Sequence, residues 1–221
     1  MKGKKWKYFG LTVLFLFLSI MVWVVATFTQ TSMIAKPVIY LYPEKTTEIS
    51  VKVAPIFGIS ESIPDYIDGW EVVSDKDSNI LNKRDNKIYP YLFWESDGML
   101  SLSKDFDTPK EGFVVAKEEL KKELTDKLFK LGLNEKEIFD FNDFWVEKLL
   151  SQNKPYYFIS FYSLEAINRT APLEISPEPD SVIRVLMVAK GLNKFINVPA
   201  LQIETPIRSG FSVVEWGGIL K

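Results

Sequence analysis

The sequence predicts an α+β fold: an N-terminal transmembrane helix, then a strand-rich extracytoplasmic domain built as an antiparallel sheet or sandwich with a two-helix insertion. Three observations predict it. Residues 9–28 form an uncharged apolar run. Further on, short stretches of β-branched and aromatic residues stop at Pro, Gly, Asn or Asp, as strands do. Between two groups of such stretches lie two apolar stripes at helical spacing.

The N-terminal run holds 16 apolar residues of 20, interrupted by Gly10, Thr12, Ser19 and Thr27. As a helix it rises about 30 Å, the thickness of a bilayer's hydrocarbon core. Lys2, Lys4, Lys5 and Lys7 precede it, and no charge follows until Lys36. Lysines stay on the cytoplasmic side, so the remainder is expected outside. Two other readings compete. A cleaved signal peptide has a shorter apolar run and small residues at its cleavage site, which neither Val25-Ala26-Thr27 nor Met33-Ile34-Ala35 supplies. A buried core helix of this length would carry charges at or within its borders. The expected organisation is a basic cytoplasmic tail (1–8), a signal anchor (9–28), a tether (29–37) and an extracytoplasmic domain (38–221).

Within that domain, Val38 to Tyr42 is a continuous run of strand formers that Pro43 ends, and Ile49, Val51 and Val53 alternate with polar residues. The stretch 70–74 and Ile80-Leu81 flank Asp75-Lys76-Asp77-Ser78-Asn79 and predict a hairpin. A further strand is expected over 89–95, with Pro90 near its start. Leu120, Leu124, Leu128 and Leu131 form one helical stripe that Gly132 stops. Asn134 and Glu137 have the spacing of a capping box and open a second helix with the stripe Ile138, Phe141, Trp145 and Leu149. Strand signals return at 156–162, 182–189, 198–204 and 211–216. The segments starting at Pro43 and Pro177 share P-E-x-x-[ST]-x-I-x-V, which reads either as a duplicated unit or as recurring turn chemistry.

Composition limits the chemistry. The chain has no His and no Cys, so Ser-His-Asp and Cys-His triads, disulfides and His- or Cys-ligated metals are excluded. Residues 1–7 hold four of the 27 basic residues and none of the 29 acidic ones, leaving 23 against 29, a net −6, for the rest. That balance, without a basic stripe, argues against nucleic acid as a partner. Asp75-x-Asp77-x-Asn79 begins like a calcium loop but has Ile80 where Gly is needed and Asn86 where Glu is needed. Gly217-Gly218 reads as a turn.

Two carboxylates stand in apolar company. Glu95 shares a predicted strand face with Tyr89, Tyr91 and Phe93, and Glu215 with Phe211 and Val213. Arg184 lies among Val182, Leu186 and Val188, where a cation needs a partner, so it is expected to pair with Glu95 or Glu215. A structural pair, a binding site and a catalytic acid/base pair all fit this pattern. If the chain were an enzyme, Glu95 and Glu215 would be its catalytic residues. As a binding site the group is Trp94, Glu95, Arg184, Glu215 and Trp216; Trp70, Trp94 and Trp216 are open to sugar stacking, while the helical stripe favours the core for Trp145.

Five segments, Lys36 to Glu44, Tyr91 to Glu95, Gly112 to Val115, Pro179 to Val185 and Arg208 to Gly218, together resemble a family of uncharacterised microbial proteins. The resemblance covers residues 36–221. It implies a shared fold and, often, an extracytoplasmic setting, and it implies no activity, substrate or catalytic residue. The expectation is therefore a single-pass protein whose partners are the lipid bilayer and an envelope glycan or protein, with no cofactor and no metal. The leading function is a binding or structural module of the envelope. The alternative is a metal-independent carboxylate hydrolase acting on an envelope glycan.

Overall fold

The computed structural model describes residues 34–96 and 107–221. The predicted anchor at 9–28, the basic tail at 1–8 and the first part of the tether lie outside them. Among the described residues no helix is long and apolar enough to cross a membrane.

The first predicted strand forms but starts earlier than Val38. β1 spans Ile34–Tyr42, with its register shifted between Ala35 and Val38 where Lys36 adopts φ 51°. β2 (Thr47–Val53) buries Ile49, Val51 and Val53, as their alternation requires. β3 is Glu61–Ile63. β4 (Trp70–Ser74) and β5 (Ile80–Asn82) pair as the expected hairpin. The Asp75 carboxylate closes that turn by accepting the backbone N–H groups of Asp77 and Asn79, at 2.9 and 3.0 Å, and the Asn79 amide at 2.8 Å.

The strand expected over 89–95 divides at Pro90 into β6 (Lys87–Tyr89) and β7 (Leu92–Glu95), which belong to different sheets. Proline has no N–H to give a ladder, and here it marks the crossing from one sheet to the other. β8 is Phe113–Ala116. The helical pair follows as α1 (Leu120–Lys130) and α2 (Glu135–Leu150). The capping box at Asn134 and Glu137 is complete in both directions, at 2.9 and 2.8 Å.

β9 (Tyr156–Phe161) leads into α3 (Leu164–Thr170), a short helix that the sequence reading did not anticipate. Ser163 caps it. β10 (Leu173–Ser176), β11 (Ser181–Leu192) and β12 (Ser212–Leu220) complete the chain. The strand expected at 198–204 is absent: only Ala200 makes a bridge, to Gly112. Val198, Leu201 and Ile203 are half-buried, so their spacing reflects packing of an extended strap rather than a ladder.

Seven strands make one sheet in the order β3-β7-β1-β12-β11-β9-β8, and five make another, β10-β2-β4-β5-β6. Most pairs are antiparallel, but β11 and β12 run parallel along their lengths, from Ser181↔Ser212 to Ala189↔Leu220. The sheets are thus antiparallel as expected apart from this one pair, which makes the larger sheet mixed. Parallel neighbours need a crossover, and residues 193–211 supply it as an irregular strap. In both segments sharing the Pro-Glu pattern a strand ends at the proline and the next begins in the other sheet, β1 to β2 and β10 to β11.

Two cores result. Between the sheets pack Ile39, Leu41, Val51, Trp70, Trp94 and Val213. On the other face of the larger sheet, Tyr40, Val185 and Trp216 meet Leu124, Leu128, Phe141 and Trp145 from the helical pair. β12 serves both, sending Val213 and Glu215 to one side and Val214 and Trp216 to the other. Gly217-Gly218 is not a turn but part of this strand. A Cβ at Gly218 would stand 2.6 Å from Cζ2 of Trp145, so close helix-on-sheet packing requires glycine there.

Candidate functional site

Parallel pairing of β11 with β12 puts Arg184 directly opposite Glu215. Their side chains meet at 2.6 Å, Nε donating to Oε2, and are 1% and 6% exposed. The other carboxylate oxygen accepts the Trp94 indole N–H at 3.0 Å. Asn168 of α3 accepts from the Arg184 Nη1 group at 2.8 Å. Each Glu215 oxygen thus has a donor, and Arg184 is held by a second acceptor. Its Nη2 group is buried with no hydrogen-bond partner among the described residues. A cavity of about 20 Å³ bounded by Trp94, Arg184, Glu215, Ile167 and Pro37 adjoins the group, room for about one water.

Of the two partners expected for Arg184, the fold selects Glu215. Glu95 has a different task. It accepts the backbone N–H of Lys36 at 3.0 Å, securing the bulge in β1, and it is half-buried. Trp94 and Glu95 are consecutive on β7, so their side chains leave opposite faces; Trp94 alone reaches the Arg184–Glu215 pair. The division at Pro90 also removes Tyr89 from the face assigned to Glu95.

The predicted binding group is therefore distributed rather than assembled. Trp94, Arg184 and Glu215 come together beneath packed side chains. Trp216 lies on the helical side of β12. Trp70, Trp94, Trp145 and Trp216 are all at most 1% exposed, so no sugar-stacking platform forms from them. Trp70 donates instead to the Pro64 carbonyl at 2.8 Å.

A second buried charge pair went unrecognised in the sequence. Glu137, fully buried, accepts from Arg208 at 2.9 and 3.1 Å in a forked pair while its Oε2 also accepts the Asn134 N–H. The Arg208 guanidinium lies 4.5 Å from the centre of the Tyr42 ring. Burial alone would lower the Arg208 pKa, but the hydrogen bonds and charge of Glu137 outweigh it and hold the guanidinium above its ordinary value. Glu137 is also the N3 residue of the capping box, and one carboxylate does both jobs. The available signal was that only four arginines occur in the chain, and that Arg208 follows a strap of mostly uncharged residues.

Beside this pair, Tyr40 donates to Asp140 at 2.9 Å, and Lys136 reaches the same carboxylate oxygen at 2.7 Å. Burial, then the charges of Asp140 and Glu137, raise the Tyr40 and Tyr42 phenols well above the ordinary tyrosine value. These groups anchor the start of α2 and the end of the strap to β1. They tie the layers together.

No protein-family model matches the chain, and no curated protein or solved structure matches it either.

Proposed function

We propose that this chain is a single-pass membrane protein displaying a non-enzymatic binding or structural domain on the outer side of the cytoplasmic membrane. The observation that carries the reading is the lysine-flanked apolar run at 9–28, followed within a few residues by a strand that opens a folded body. The interior supports the non-enzymatic part. The most conspicuous carboxylate, Glu215, is neutralised by Arg184, bonded at both oxygens and served by a cavity that holds about one water. An acid/base residue needs contact with substrate. The partners in this reading are the lipid bilayer and an envelope glycan or protein.

Alkaline extraction of membranes tests the anchor. The full-length chain stays with the lipid pellet, and its quantitative release into the wash refutes the proposal.

A further inference from the structure

The outer surface of the helical pair carries an apolar groove. A groove of about 980 Å³ runs between α1 and α2, floored by Ile138, Val146 and Leu150. Phe129 and Phe139 flank it, 68% and 70% exposed. Its rim is charged: Lys121, Asp126 and Lys130 on α1, and Glu135, Asp143 and Glu147 on α2, so both cations lie on α1 and three of the four acids on α2. Lys121, Lys130, Glu135 and Glu147 are exposed and make no ion pair among the described residues.

We propose that this face is covered by a second copy of the chain, related by a twofold axis parallel to the helices. The register follows from the Asn142–Thr125 hydrogen bond at 2.9 Å. Counting about 1.5 Å per residue from it, Lys121 is level with Val146 and Glu147, Lys130 lies within a turn of Glu135, and Phe129 is level with Phe139. Two antiparallel helix pairs can meet face to face about two twofold axes. An axis parallel to the helices sets α1 against the partner's α2 at the same height. Lys121 then faces the partner's Glu147, Lys130 faces the partner's Glu135, and Phe129 faces the partner's Phe139.

An axis perpendicular to the helices sets each helix against its own copy, head to tail. Lys121 would then face the partner's Lys130, and Glu135 the partner's Glu147. The charge pattern selects the parallel axis, because like charges placed opposite one another oppose association. The result is a four-helix layer with a sealed apolar seam. Asp126 and Asp143 are the like charges left near one another.

The same axis suits the anchor, a clause that rests on the function proposed above. α2 runs antiparallel to β1: Tyr40 bonds Asp140, and the Lys36 ammonium sits 4.4 Å from the Phe144 ring centre. The start of β1 therefore lies beside the C-terminal half of α2. A parallel twofold brings both copies' β1 starts to one end of the dimer, where a shared membrane needs them. The perpendicular twofold puts them at opposite ends.

The test measures the mass of the full-length protein in detergent micelles by light scattering after size-exclusion, with thermal melting to confirm folding. Wild type is dimeric. Lys121→Glu and Glu147→Lys each weaken the dimer by roughly tenfold or more, and the double variant recovers it. A monomeric wild type, or a double variant no stronger than the singles, overturns the proposal. So does a Lys121→Glu dimer tighter than wild type, since that is the signature of the perpendicular axis. Alkaline extraction separates this outcome from the anchor: a retained monomer refutes the helix face alone, and a released dimer refutes the anchor alone.

Discussion

Glu215→Gln isolates what the Arg184–Glu215 pair does. The amide keeps the volume and an oxygen that can still accept the Trp94 N–H, so the change removes the charge and little else. What remains is a guanidinium whose side chain is 1% exposed, with Asn168 as its one acceptor. Breaking a buried ion pair on one side costs about 3–5 kcal/mol, because a charge is left uncompensated in a medium that solvates it poorly. Against a domain stability of about 5–15 kcal/mol, and a urea dependence of about 2–3 kcal/mol per molar, the unfolding midpoint falls by about 1–2.5 M. Replacing both partners, as Arg184→Met with Glu215→Leu, removes the desolvation penalty along with the attraction but leaves the Trp94 N–H without its acceptor, so the double variant loses about 1–3 kcal/mol, well short of the summed singles. Urea titration of the full-length protein followed by tryptophan fluorescence reads all of these variants. A Glu215→Gln midpoint within about 0.3 M of wild type, or a double variant as unstable as the summed singles, refutes the structural assignment of this pair.

Alkaline pH should unfold the protein through its buried phenols. Burial keeps Tyr40, Tyr42 and Tyr162 neutral in the fold, so above about pH 10 the unfolded chain gives up protons that the folded one retains. The stability they provide is whole below that pH and is lost as pH rises, at up to about 1.4 kcal/mol per pH unit for each tyrosine. Lys36, lowered by burial, acts with the opposite sign, but that contribution is complete by its ordinary value of 10.5. Urea midpoints from pH 9 to about 11 should drop steeply past 10 and less steeply in Tyr40→Phe; a flat profile contradicts the burial of these phenols. Gly218→Ala should cost about 1–3 kcal/mol by driving a methyl into the six-membered ring of Trp145, and Trp145→Phe, which lacks those atoms, should lessen the cost of the same change in a double-mutant cycle.

Much of the fold was legible because it depends on local periodicity. The Leu120–Leu128 and Ile138–Leu149 stripes became buried faces of α1 and α2, and the Asn134–Glu137 spacing became a working capping box. The Asp75–Asn79 turn closed its hairpin through Asp75 itself. What escaped depends on long-range placement. Nothing local in residues 193–211 reveals that they return the chain to start β12 parallel to β11, and it is that pairing which gives Arg184 to Glu215 rather than to Glu95. Alternation predicted that Glu215 points inward, but not that Trp216, one residue on, points equally inward on the other side. A central strand covered on both faces has no solvent side, so its aromatic residues were misread as available. Pro90, compatible with a strand over 89–95 only near its start or on an edge, instead marks a change of sheet. α3 is seven residues long, too short for periodicity to declare it.

The proposed function requires the folded domain to lie beyond the cytoplasmic membrane while its N-terminal segment stays in it. The chain contains no cysteine, so Ile207→Cys, at a strap position 85% exposed, introduces a single reactive thiol. A membrane-impermeant maleimide added to spheroplasts should label that thiol fully, at the same extent before and after lysis. Labelling that appears only after lysis contradicts the account.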